Sequence, residues 1–171
     1  KEIGHPVTEA DHASNQIIFD FIHQQFPKDA WLSEESVDDF KRINKNRVWI
    51  VDPLDGTKDF ICGDPSFTVS IALVENKKPV VGVIFNPVHQ ELYYASLGAG
   101  AFLKKANSGA IEKLSMDEEQ KLTTLVLSQS EYKKGDCGFA EQDFELFLSG
   151  GAAYKMALVA KGVGQASFTL R

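Results

Sequence analysis

The sequence predicts an α/β protein whose sheet is largely antiparallel, and three features of its 171 residues lead there. An amphipathic helical stripe opens the chain. An acidic turn is then followed by three successive runs rich in β-branched and aromatic residues. Later strands and helices are mixed without the regular strand–helix–strand beat of a parallel fold, which favours a layered arrangement.

Taken in order, Thr8 is the candidate N-cap of the first helix, with Asp11 three residues on as a short capping-box acid. Ala10, Ala13, Ile17 and Phe21 recur at helical spacing, and Ile18 and Ile22 widen the stripe. Phe26-Pro27 ends it, because proline disfavours helical geometry in the residue before it. Ala30-Trp31-Leu32 reads as a short strand running into Ser33-Glu34-Glu35-Ser36. Val48-Trp49-Ile50-Val51 is continuously apolar, the pattern of a strand covered on both faces, and it stops at Asp52-Pro53. Phe67 to Val74, Val80 to Phe85 and Glu91 to Ser96 form an antiparallel meander, broken by Asn76-Lys77-Lys78 and Asn86-Pro87. Gly98, Gly100 and Asn107-Ser108-Gly109 punctuate further short strands, and Leu125-Val126-Leu127 is another. Two helices are predicted last, at Asp143 to Leu148 and Ala152 to Lys161, the second closed by Gly162.

Composition excludes several classes. Hydrophobic residues at 43% and charged residues at 25% are a globular balance rather than a disordered one. The net charge of −6, with no dense basic run, argues against a nucleic acid polymer as partner. Apolar runs are strand-sized, so no membrane span is predicted, and Lys1 to His5 lack the pattern of a signal peptide. Cys62 and Cys137 form neither a disulfide framework nor a zinc quartet, which makes a reducing cytoplasm the expected location. The four histidines lie in no ligand pair, no Gly-x-Ser-x-Gly elbow is present, and nothing near Cys62 points to an activated thiolate.

Chemistry concentrates in Trp49 to Phe60. A buried strand delivers Asp52 at its end, and the proline turn returns Asp55 beside it. Two carboxylates so close repel each other unless cations sit between them. Mg²⁺ suits such a site, being a hard ion that takes oxygen ligands, and the Leu54 carbonyl can add one. Gly56 permits close backbone approach, and Thr57 can cap a following helix whose N–H groups would hold a phosphate. The competing reading is an ordinary bend made by Asp, Pro and Gly. Likewise Asp11 can serve only its own helix, and Glu34 to Asp39 can be a solvated acidic face.

Pro6-Val7-Thr8-x-x-Asp11, then a strand and Glu34-Glu35, then Trp49-x-x-Asp52-Pro53-x-Asp55-Gly56-Thr57 together resemble the inositol monophosphatase superfamily of magnesium-dependent phosphatases. Lys58-Asp59-Phe60, and more weakly Ser128-Gln129-Ser130 and Gly151-Ala152-Ala153-Tyr154-Lys155, are similar to the 3′(2′),5′-bisphosphate nucleotidase branch. The resemblance implies a layered α-β-α-β-α sandwich. It also implies that Glu34, Asp52, Asp55 and the Leu54 carbonyl hold two or three Mg²⁺ ions, with Asp52 bridging. Asp11 and Thr57 would position or activate the attacking water, with Glu34 assisting. Asp55, Gly56 and Thr57 would meet the substrate.

The expected activity is Mg²⁺-dependent hydrolysis of a small phosphate monoester, 3′-phosphoadenosine 5′-phosphate first and inositol monophosphate second. A non-catalytic relative that binds metal or phosphate is the rival from another class. Residues 1–171 read as one domain lacking both ends of the family's, because the helices before Pro-Val-Thr and the Trp-Asp pair carrying a further metal ligand have no counterpart. Gly164-Gln165 stands where the family often has Ala-Asp, read as tuning of a strand's start. Lys155 can meet the substrate's outer groups or be a solvated lysine, and a homodimer is expected from the resemblance.

Overall fold

The computed structural model describes residues 6–38, 40–115 and 119–169. Helix α1 (Glu9–Gln25) starts as predicted: Thr8 accepts from the Ala10 N–H, and the Asp11 side chain closes a capping box back onto the Thr8 backbone. A seven-stranded sheet follows, made of β1 (Ala30–Ser33), β2 (Arg47–Asp55), β3 (Thr68–Glu75), β4 (Lys78–Asn86), β5 (Glu91–Ser96), β6 (Gly100–Lys105) and β7 (Ile111–Leu114). Their spatial order is their chain order, antiparallel throughout except that β1 lies parallel to β2.

A short helix, α2 (Thr57–Ile61), sits between β2 and β3. The second half of the chain contains β8 (Thr124–Ser128), α3 (Gln129–Lys133), β9 (Glu145–Ser149), α4 (Ala152–Ala160) and β10 (Ala166–Ser167). Strands β10, β8 and β9 form a separate, all-parallel sheet in that order. The predicted antiparallel character therefore belongs to the large sheet alone.

Two predicted elements differ. The segment expected to be helical at Asp143 to Leu148 contains β9, paired with β8 in the register Leu125↔Leu146 and Leu127↔Leu148. Glu145-Leu146-Phe147-Leu148-Ser149 alternates with period two, and β8 offers a parallel edge for it; that pairing overrides the helical reading. Strand β2 was expected to be covered on both faces and to stop at Asp52-Pro53. Instead Ile50 is 41% exposed, and β2 runs on to Asp55 through an irregularity between Asp52 and Asp55.

The layers follow from strand alternation. Ile71, Val83 and Phe85 point toward Ala10, Ser14 and Ile17 of α1. Ala72, Gly82 and Ile84 face Met156 and Ala157 of α4 on the other side. Helix α4 in turn packs on the small sheet: Tyr93 and Leu103 from the large sheet, Val126 from the small one, and Tyr154, Ala157 and Leu158 share one core. The opposite face of the small sheet buries Leu125, Leu127, Cys137 and Ala140 beneath α3 and a 3₁₀ turn at Gly138–Gln142. The result is the predicted α-β-α-β-α sandwich.

Gln165 borders the small sheet as expected of a strand-starting residue. Its side-chain oxygen accepts from the Thr123 and Thr124 N–H groups at 3.0 and 2.8 Å. Gly164 is required beside it, because a Cβ there would lie 2.9 Å from Val126 Cγ2 and 3.0 Å from the Thr124 carbonyl. The other end of α4 is tied to the large sheet by the buried carboxylate of Glu91, which accepts from Lys161 Nζ and from the Tyr93 hydroxyl, each at 2.6 Å. Burial pushes the Glu91 carboxyl up, but these two hydrogen bonds outweigh it and hold the group below its ordinary range.

Because β8 contributes to both cores, truncation on either side of the small sheet should destabilise the whole chain. Leu103→Ala (1% exposed) and Leu127→Ala (fully buried) are each expected to lose about 2–5 kcal/mol, the usual range for a leucine cavity. Chemical denaturation should show one shared transition in each variant; two separated transitions would mean that the sheets unfold independently.

Candidate active site

The site forms where β2 ends. Asp52 pairs with Ser70 and Asp55 with Thr68, so β2 spends one residue more than β3 over the same stretch. Pro53, which has no N–H to give a ladder, lies in this bulge, and the bulge re-aims the two carboxylates. The Leu54 N–H donates to Asp52 Oδ1 at 3.1 Å, leaving the Leu54 carbonyl directed back toward Thr57, whose hydroxyl lies 3.1 Å away. Glu34, exposed at the end of β1, is placed by its own N–H donating to the Val51 carbonyl. Ser33 supports that turn, donating to Asn15 Oδ1 at 2.6 Å and accepting from the Glu35 N–H.

Asp11 fulfils both readings at once. Its Oδ2 accepts from the Thr8 N–H at 2.7 Å and the Thr8 hydroxyl at 2.6 Å, while Oδ1 lies 3.0 Å from the Thr57 hydroxyl. A capping acid is thereby also a fixed acceptor for a residue 46 positions later, and it is 1% exposed. Thr57 was expected to cap the helix after the turn. Gly56 occupies the cap position instead, at φ +89°, and Thr57 is the first residue of α2 with its hydroxyl free for Asp11 or the Leu54 carbonyl.

Asp55 points to the N-terminus of α4. Its Oδ1 accepts from the Ala152 N–H and its Oδ2 from the Ala153 N–H, both at 2.9 Å, and the Thr68 hydroxyl approaches Oδ2 at 3.3 Å. Sequence reasoning placed Asp55 with the metal and substrate and predicted this helix, but gave no sign of their contact. It also missed Asp59, whose Oδ2 accepts from the Gly151 N–H at 3.2 Å. Burial pushes the Asp59 carboxyl up and the Gly151 N–H opposes that shift. The signal was present in two adjacent glycines just before a helix, whose purpose shows only when the fold brings an acid against them.

These residues line a cleft of about 380 Å³ that runs from Glu34, Asp52 and Asp55 past Gly56 and Thr57 to Lys155, Ser128, Ser130 and Thr169. A larger groove of about 580 Å³ beside Arg42, Lys45 and Lys77 has no acid on its walls and lies away from this chemistry. Among the described residues, no three acidic, histidine or cysteine side chains are already gathered around one point. The donor chemistry still fits a hard cation. Burial, then the charges of Asp55 and Glu34, push Asp52 from 3.8 to about 7, the response of an acid crowded by acids with no cation to offset them. Glu34, Asp52, Asp55 and the Leu54 carbonyl are the oxygens that would hold Mg²⁺.

Crowding at Asp52 has a pH signature. An unfolded aspartate loses its proton near 3.8, whereas folded Asp52 keeps its proton up to about 7. The stabilisation from its protonation is complete below the lower value and is lost as pH rises through the upper one. In chelator, Asp52→Asn, which has no proton to lose and keeps an acceptor for the Leu54 N–H, should flatten the fall in Tm between about pH 4 and 7. It should also lose the Tm increase that Mg²⁺ gives the parent chain by mass action. An unchanged pH profile, or retained Mg²⁺ stabilisation, would count against the site.

Comparison with known proteins agrees with this geometry. The model of the inositol monophosphatase family matches residues 1–171. The chain is 35% identical over 167 residues to the 3′(2′),5′-bisphosphate nucleotidase CysQ of Salmonella typhimurium, covering 96% of this chain and 66% of that protein. It is 46% identical over 101 residues to inositol monophosphatase 2 of Solanum lycopersicum, covering 57% of this chain and 38% of that one. Its fold superposes on an IMPase from Thermotoga maritima with a TM-score of 0.80 at 28% identity, over 96% of this chain and 62% of the other. The chain thus spans at most about two thirds of the length of these relatives. With the family's motif block in place at the end of β2 and its layered fold around it, this chain belongs to the inositol monophosphatase family.

Proposed function

We propose that this protein hydrolyses a small phosphate monoester with Mg²⁺, and that its substrate carries a second phosphate, as 3′-phosphoadenosine 5′-phosphate does. The observation that carries the choice of substrate is Lys155. It is 6% exposed, lines the same cleft as the acids, and makes no salt bridge among the described residues. A lysine in the wall of a cleft offers a positive charge to an anion that enters it. Ser128 and Ser130, whose hydroxyls lie 2.9 Å apart on the same wall, add donors for phosphate oxygens.

At the acid end, Mg²⁺ held by Glu34, Asp52, Asp55 and the Leu54 carbonyl would neutralise phosphate oxygens and lower the pKa of a bound water. The chain's own contribution is alignment and proton handling. With its hydroxyl donated to Asp11 Oδ1, Thr57 turns its lone pairs outward, where they accept a hydrogen bond from a water in the cleft. A proton leaving that water passes to Thr57 Oγ1 as the Thr57 proton passes to Asp11, which the Thr8 contacts hold fixed. Glu34, exposed and lining the same cleft, would assist. The free thiols Cys62 and Cys137 support a reducing, cytoplasmic location for this reaction.

Phosphate release from 3′-phosphoadenosine 5′-phosphate and from inositol 1-phosphate, each with and without Mg²⁺, tests the reading. Mg²⁺-dependent release is expected, faster from the bisphosphate; preference for inositol 1-phosphate would move the protein to that branch. Binding of both Mg²⁺ and substrate without turnover would favour a non-catalytic relative. Lys155→Met should raise KM for the bisphosphate by roughly 30-fold, the effect of removing one partner from a buried charged contact, and leave KM for a monophosphate nearly unchanged. An equal effect on both substrates would rule out the second-phosphate contact.

A further inference from the structure

Asp59 lies in the cleft wall beside Gly56, and the turn before α4 is shaped around it. A Cβ on Gly150 would lie 2.2 to 2.4 Å from the Asp59 carboxylate atoms, closer than real atoms approach. Gly150 thus leaves a hollow that this carboxylate fills. On Gly151, which has a φ of +57°, a Cβ would meet Asp55 Oδ2 and the Ser66 carbonyl, each at 2.7 Å. The Gly151 N–H then donates to Asp59 Oδ2, one residue before the two amides that Asp55 receives.

We infer that Asp59 is a positioning residue: its carboxylate seats the Gly150–Gly151 turn and so fixes where α4 begins and where Lys155 enters the cleft. Lys155 is the fourth residue of α4, and its N–H bonds back to the Gly151 carbonyl at 3.2 Å, so a shift of the turn moves the lysine with it. The link to substrate rests on the assignment of Lys155 to a second phosphate; the seating of the turn does not. Asp55 alone would leave the Gly151 N–H without a partner and the hollow over Gly150 unfilled.

The test is a double-mutant cycle with two readouts. In this chain, Gly150→Ala should lower Tm by roughly 5 °C through the clash with Asp59, and Asp59→Gly should lower it by a smaller amount. Combined, they should be more stable than Gly150→Ala alone, because removing the carboxylate makes room for the new methyl group. In a form with turnover, Asp59→Gly should raise KM for the bisphosphate about tenfold with a smaller fall in kcat. KM for inositol 1-phosphate should stay near its original value, and Asp59→Asn, which keeps shape and acceptor, should restore most of the loss. Additive Tm losses in the double variant would overturn the seating, and equal KM effects on both substrates would overturn the link to Lys155. Absence of turnover in the parent protein would sink the proposed function and leave the Tm cycle to decide the seating.

Discussion

Capture of the N-terminus of α4 by two aspartates is the interaction on which the rest of this structure depends. The first amides of a helix have no partner within it, and its dipole places partial positive charge there. Here Gly151, Ala152 and Ala153 all donate to carboxylates from the end of β2 and from α2, 92 to 98 residues earlier in the chain. Helix α4 is also the element whose side chains enter the core shared by both sheets. Its far end is pinned by Lys161 to Glu91. With both ends tied to the large sheet and one flank packed on the small one, α4 sets how the two halves of the cleft face each other.

That arrangement also distributes the difficulty of crowding acids. Asp55 and Asp59 have amide partners at a helix terminus, although burial still pushes the Asp59 carboxyl up. Asp52 has one amide, from Leu54, and faces Glu34 and Asp55, so the strain of the cluster falls on its titration. A chain selected only for stability would not place a half-buried acid against two others. The unfavourable term is local and directional, and a hard cation relieves it where oxygen ligands already converge. Stability given up at one residue in this way is the usual mark of a functional site.

Much of this was legible in the sequence because it is encoded locally. The capping box at Thr8 and Asp11, the alternation in the meander strands and the Asp-Pro-Leu-Asp-Gly-Thr block each announce themselves within a few residues. What escaped is encoded between distant segments. Glu145 to Ser149 became a strand because β8 offered it an edge, a fact absent from the five residues themselves. Asp59 and Gly151 each looked like part of a family signature; only their apposition gives either a purpose. The Asp11–Thr57 bond lies between these cases, since the resemblance implies the pair but the contact joins two helices 46 residues apart.

The two ends of the cleft differ in what an anion would meet on arrival. The acid end repels phosphate until a cation occupies it, whereas Lys155 offers a positive charge from the outset, with hydroxyls of Ser128 and Ser130 beside it. In a chain of net charge −6, a lysine in the wall of an acidic cleft is a local exception. On the reading proposed above, remote binding energy gained at Lys155 holds the substrate while its other phosphate sits against Thr57 and the acids. Such remote contacts accelerate a reaction only if their position relative to the reacting atoms is fixed, since misplacement by an ångström can forfeit the advantage. The clamp of Asp55 and Asp59 on one helix terminus supplies that fixed relation, because Asp55 belongs to the acid end and α4 carries the lysine.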